Sequence, residues 1–173
     1  MRAKVKLEAI KALREKTSAS LNDIRAALES AGGDEAKALE VLRQRGAAIA
    51  ENRQGRTTGQ GRVEAYVHHN GRLGSLVEVN CETDFVARTP EFLQFCRDVA
   101  MQVAAMAPRY LRAEDVPASG RLSAEEVKDA CLLEQPFVRD PGILVKDLLK
   151  ALIAKTGENV VIRRFVKFTL GET

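Results

Sequence analysis

Tryptophan is absent and aromatic residues make up only 5% of the 173 residues, so a core must be mostly aliphatic. No apolar run approaches the roughly 20 residues of a bilayer span, which argues against an integral membrane protein. The opening Met1-Arg2-Ala3-Lys4 lacks the continuous apolar stretch of a secretory signal, so the cytoplasm is the expected compartment. Neither sign of charge dominates: 27 basic against 24 acidic residues leave a net +3, short of the excess of a dedicated nucleic-acid binder. Three cysteines, Cys81, Cys96 and Cys131, are odd in number and widely spaced, and form neither a disulfide framework nor a CxxC metal clip. GxGxxG, GxxxxGK[ST] and HExxH are all missing. Catalytic residues, a cofactor and a metal are therefore not expected.

What is present is a normal globular complement, 45% hydrophobic, enough for one domain or one with a small satellite. Residues 1–46 read as three short helices. Leu7, Ile10 and Leu13 share a face of the first, which Thr17-Ser18-Ala19-Ser20 breaks. Ser20 with Asp23 forms an acidic variant of a capping box for the second, whose stripe is Ile24, Ala27, Leu28 and Ala31. Gly32-Gly33 supplies a left-handed stop, Asp34 caps a third helix with Leu39 and Leu42 inward, and Gly46 is the expected end. Helices this short are marginal alone and must pack together. Residues 47–61 lose periodicity and read as a linker with a helical or ragged start. Its arginines have no interleaved aromatic on which bases could stack.

Residues 62–173 read as an α+β core domain. Val63–His69 and Arg72–Val79 flank Asn70-Gly71, the strongest two-residue hairpin signal, with a type I′ turn expected. A polar loop from Asn80 to Thr89 follows. Thr89-Pro90-Glu91 then opens a helix with Phe92, Phe95, Cys96, Val99, Val103 and Met106 on one side, closed by Pro108. Arg109 to Gly120 is irregular, and Ser123 to Glu126 is a capping box for a helix through Cys131. Leu132 to Gly142 reads as an extended connection. Val145, Leu148, Leu149 and Leu152 mark another helix ended by Gly157, and Val160–Phe168 a third strand.

Two groups of residues invite a functional reading. Cys81 with His68 or His69 has the composition of a nucleophilic pair and defines one alternative, a small cysteine hydrolase. Neighbouring strand residues point to opposite faces, so only one imidazole would serve, and Cys81 continues the alternation of Val77 and Val79 as a buried small hydrophobe. The loop Asn80–Arg88 is the stronger candidate, because it carries Phe85 beside Asp84 between a strand and a capped helix. Either Phe85 anchors in a partner's pocket with Asp84 fixing its orientation, or Phe85 tucks into the core and Asp84 caps a turn.

At these residues the chain resembles the bacterial elongation factor Ts family, the nucleotide-exchange factors of elongation factor Tu. The stretch HHNGRLGSLVEVNCETDFVAR, His68 to Arg88, carries the family signature, centred on Thr83-Asp84-Phe85-Val86. Leu133–Val138, Gly157–Asn159 and Arg163-Arg164-Phe165 resemble its C-terminal blocks. Leu13–Thr17, Asp23 and Ala27-Leu28 resemble its ubiquitin-associated-like N-terminal module. That module usually reads Thr-Gly-Ala-Gly-Met-Met-Asp where this chain has Thr17 to Asp23 without either glycine. The segment from Arg112 to Cys131 is compressed against the family.

The resemblance implies a three-helix module, a three-stranded antiparallel sheet packed with helices, and no bond-making chemistry. It implies that Thr83, Asp84, Phe85 and Val86 form the exchange site, with Phe85 wedging near the Mg²⁺ of elongation factor Tu. Arg14 and Leu21 on the module and His69 on the hairpin are implied secondary contacts. Short members with one core subdomain make up the second by homodimerising, so a homodimer is implied, with neither nucleic acid nor membrane as partner. The alternative in a different class is a ubiquitin-associated-like adaptor without exchange activity.

Overall fold

The computed structural model describes residues 6–17, 19–118, 120 and 122–172. The opening Met1-Arg2-Ala3-Lys4, and Ser18 of the expected break, lie outside them. Two compact units divide the chain: residues up to Arg56 with Lys150–Asn159, and Thr57–Leu149 with the residues from Val160 onward.

The first unit is built on α1 (Leu7–Thr17), α2 (Leu21–Ser30) and α3 (Glu35–Arg53). Ile10 and Leu13 are buried together with Ala9, whereas Leu7, at the first position of α1, is largely exposed. Ile24, Ala27, Leu28, Ala38 and Leu42 complete the core, with Leu39 half-buried against it. The Ser20 hydroxyl accepts the Asp23 N–H at 3.1 Å and donates to the Asp23 carboxylate. The Gly33 N–H bonds back to Leu28 at 2.8 Å and the Gly32 N–H to Glu29 at 3.3 Å, the paired closure of a left-handed helix stop. Asp34 accepts the N–H groups of Ala36 and Lys37, and these bonds hold its carboxyl below its usual range.

Gly46 does not end α3. The helix continues to Arg53, through most of the stretch read as the start of a linker. An interior glycine costs only about 1 kcal/mol relative to alanine, and Ala47, Ala48 and Ala50 around it are strong helix formers. The stop is Gly55, at φ +87.

The second unit carries an antiparallel sheet in the order β1-β2-β5, from β1 (Gln60–Val67), β2 (Leu73–Cys81) and, at the end of the chain, β5 (Val160–Thr169). The architecture is α+β, as the change from helical to alternating pattern implies. The hairpin is present, but its link is not a type I′ turn: Gly71 has positive φ and Asn70 does not. Instead the Gly71 N–H bonds to the His68 carbonyl at 2.8 Å, and the Asn70 side chain accepts the Arg72 N–H at 3.0 Å.

Helix α5 (Pro90–Met106) covers one face of the sheet, where the buried Ser75 donates to the Ala100 carbonyl at 2.6 Å. Phe92, Phe95, Cys96, Val99 and Val103 are buried as expected. Met106, in the last turn before the left-handed Ala107, is exposed instead. The polar Gln102 takes a buried place that an apolar pattern cannot mark. It donates to Gln135 and to the Pro136 carbonyl, and accepts the Val138 N–H at 2.8 Å. These bonds seat a small two-stranded sheet, β3 (Pro136–Phe137) and β4 (Asp140–Leu144), where the sequence suggests only a connection. The Ser123 capping box opens α6 (Ala124–Ala130), with Cys131 at its C-cap. Helix α7 (Val145–Thr156) ends at Gly157, φ +72. No helix of the described residues is long and apolar enough to cross a membrane.

Candidate functional site

Between β2 and α5 the stretch read as a polar loop contains a single helical turn, α4 (Asp84–Ala87). Thr83 has extended backbone, and its hydroxyl accepts the Val86 N–H at 3.3 Å. Thr83, rather than Asp84, therefore caps the turn. At the other end the Val86 carbonyl accepts the Thr89 hydroxyl at 2.9 Å and the Thr89 N–H at 3.0 Å. The same hydroxyl accepts the Phe92 N–H, so one side chain closes α4 and opens α5.

No residue of α4 is buried, and Phe85 is 79% exposed. That exposure overturns the alternative in which Phe85 tucks into the core. A phenyl ring held in water on a capped turn forgoes roughly 2 kcal/mol of burial that a core position would give. Asp84 sits beside it, its carboxylate 3.0 Å from the Arg88 guanidinium. Arg88 lies one helical turn on, the spacing of a stabilising acid-base pair, and is the supporting residue that this signal would have revealed. Such an exposed pair contributes only about 0.3–0.5 kcal/mol, so it biases the carboxylate more than it holds the fold.

Beneath the turn, Cys81 ends β2 and is fully buried. Its thiol donates to the Thr83 carbonyl at 3.1 Å, and that carbonyl also accepts the Ala87 N–H at 3.3 Å, the bond that starts α4. Gly61 of β1 lies opposite Asn80 at the same end of the hairpin. A Cβ on it would overlap the Val79 carbonyl oxygen and lie 2.7 Å from the Asn80 Cα. Gly61 is thus a close-approach residue within a strand, not part of a tether.

His69 is exposed beyond the other end of the hairpin. Gln60 pairs with Cys81 and Val67 with Gly74, so the strands separate His69 from the Phe85 turn by about 23 Å. This geometry also removes the Cys-His alternative, since Cys81 is buried at one end and both histidines lie at the other. The histidines are past the end of β1, and their rings lie 4.2 Å apart instead of on opposite faces. Arg14 is exposed on α1 and Leu21, 43% exposed, is the first residue of α2; both belong to the first unit. The structure gathers Thr83–Val86 into one turn and leaves His69 apart from it.

Comparison with known proteins agrees with the signature. The family described as Elongation factor TS matches residues 5–127. The chain is similar to Elongation factor Ts of Carboxydothermus hydrogenoformans, with 50% identity over 94% of this chain and 88% of that protein. It is 48% identical to Elongation factor Ts of Rubrobacter xylanophilus over 95% of this chain and 98% of the relative. The corresponding protein of Thermotoga maritima is 46% identical, over 97% of each chain. The alignment to the Carboxydothermus protein spans 191 positions, more than the 173 residues present, so the relative carries residues that this chain lacks. With its Phe85 turn exposed and capped and its sequence aligned nearly end to end with these relatives, the chain is a translation elongation factor and belongs to the elongation factor Ts family.

Proposed function

We propose that the protein binds elongation factor Tu carrying GDP and promotes GDP release. The observation that carries this reading is the exposed Phe85 on a capped turn. A bound guanine nucleotide is held through its phosphates and Mg²⁺. A protein that binds preferentially to the state with those contacts disturbed lowers nucleotide affinity, and nucleotide lowers its affinity by the same factor. Phe85 supplies the inserted apolar group, Asp84 orients it, and Thr83 and Val86 keep the turn folded. His69 at the far hairpin end makes a second contact, and Arg14 and Leu21 dock the N-terminal module. No covalent bond is made or broken, so the protein acts in the cytoplasm as an exchange factor and not as an enzyme. It needs no cofactor, nucleic acid or membrane.

The protein acts as a homodimer in this reading. The sheet face away from α5 supports it: Val63, Val67, Leu76, Val166 and Phe168 are all more than 40% exposed there. Amid them Glu78 pairs with Arg164 at 2.7 Å. An apolar face with one acidic and one basic residue side by side at its centre can pack on a second copy of itself about a two-fold axis lying in the interface.

Release of labelled GDP from purified elongation factor Tu, with and without the protein, tests the reading. Acceleration that Phe85→Ala abolishes supports it. Full acceleration by a well-folded Phe85→Ala variant ends the role of Phe85, and no acceleration by the unaltered chain ends the proposal.

A further inference from the structure

We infer that Cys81 is a positioning residue for the Phe85 turn, fixing through its thiol the direction in which Phe85 projects. The functional half of this inference rests on the exchange reading; the geometric half does not.

A four-residue helix does not persist by itself, because one turn fixes several residues for a single backbone bond. No residue of α4 is fully buried and only Val86 and Ala87 offer it partly buried apolar surface, so packing anchors it only in part. Polar ties supply the rest of its orientation. Thr89 ties it to α5, and Cys81 ties it to the sheet. The Cys81 donor acts on the Thr83 carbonyl, which is also the first acceptor of α4. The axis of the turn is thus referenced to a fully buried atom at the end of the central strand, with a single residue, Glu82, between the two. A thiol is a weak donor and a good small hydrophobe, so packing and hydrogen bonding are competing accounts of this residue. They predict opposite orders of substitution. Valine keeps the bulk and the strand preference but donates nothing; serine keeps the donor and places a more polar group at a fully buried position.

The test uses both variants in the full chain. For exchange, stimulated GDP release is measured against protein concentration with Phe85 intact. Positioning predicts that Cys81→Val raises the half-saturating concentration about three- to fivefold, at most the size of one ordinary hydrogen bond, at an unchanged maximal rate. Cys81→Ser stays within about twofold of the parent in half-saturation even where its melting temperature falls. For geometry, the chain has no tryptophan, so Phe85→Trp places one fluorophore on the turn. Its anisotropy falls when Cys81→Val is added and is kept when Cys81→Ser is added. Unchanged anisotropy and half-saturation in Cys81→Val, or a serine variant worse than the valine one in both, overturns the inference. The anisotropy series needs no partner, so its result stands whether or not the exchange reading does.

Discussion

At Gly61 the backbone takes φ +145, a region that side chains avoid, and the neighbouring strand lies against the missing Cβ. Gly61→Ala is expected to lower stability by about 2–4 kcal/mol, read as a drop in the urea midpoint, because neither backbone has room to move. Phe85 is the opposite case. Its ring makes little of the fold, so Phe85→Ala should leave the melting temperature within a degree while cutting stimulated GDP release by about thirtyfold, the loss of an anchor of roughly 2 kcal/mol. Asp84→Asn should cost less, since it keeps shape and hydrogen bonding. Cys96 gives a pH dependence. Burial, with Glu64 nearby adding to it, pushes its thiol up from 9.0 to about 12. The unfolded chain therefore ionises this group first, and stability falls as pH rises from about 9 toward 12. Denaturation in that range should show a shallower pH dependence in Cys96→Ala; an identical slope would show that the thiol does not set it.

Helix ends separate what the sequence tells directly from what it hides. Ser20, Asp34, Thr89 and Ser123 announce their helices because each cap acts on a backbone group two or three residues away. Gly46 and Gly55 look alike in sequence, yet one is helical and the other takes φ +87, a choice made by neighbours. Replacing each by alanine should resolve them. Gly46→Ala is expected to stabilise by about 0.5–1 kcal/mol, its Cβ reaching ordinary contact 3.7 Å from the Ala154 Cβ. Gly55→Ala is expected to destabilise by about 1 kcal/mol, read from the same melting curves. The small sheet of β3 and β4 was not legible because its seat is the buried Gln102–Gln135 pair, 33 residues apart, and glutamine carries no burial signal. In the site, the signature marked Thr83 to Val86. Pattern alone left Phe85 undecided between core and surface, since one aromatic in a polar loop has no periodicity to place it. Cys81 was legible as buried; its bond to Thr83 was not, because a thiol between strand and turn serves either role.

For the whole molecule, the open sheet face makes self-association measurable. Sedimentation of the parent chain at micromolar concentration is expected to give a species near twice 19.0 kDa, and Leu76→Lys, which puts a charge on an exposed apolar position, should shift it to the single chain. A parent that sediments as one chain throughout would remove the dimer. The position of β2 has a further consequence, in time instead of space. On one side it pairs with β1 through a short hairpin; on the other its Glu78 meets Arg164, 86 residues along the chain. Hairpins close in microseconds, while distant pairings wait on the loop-closure entropy of everything between. Cys81 pairs with Gln60 within the hairpin and gains its second sheet neighbour, Val160 at the start of β5, only when that last strand docks. The hairpin pairings are local and those to β5 are not, so the sheet that carries the Phe85 turn is complete only once the last strand of the chain has been added.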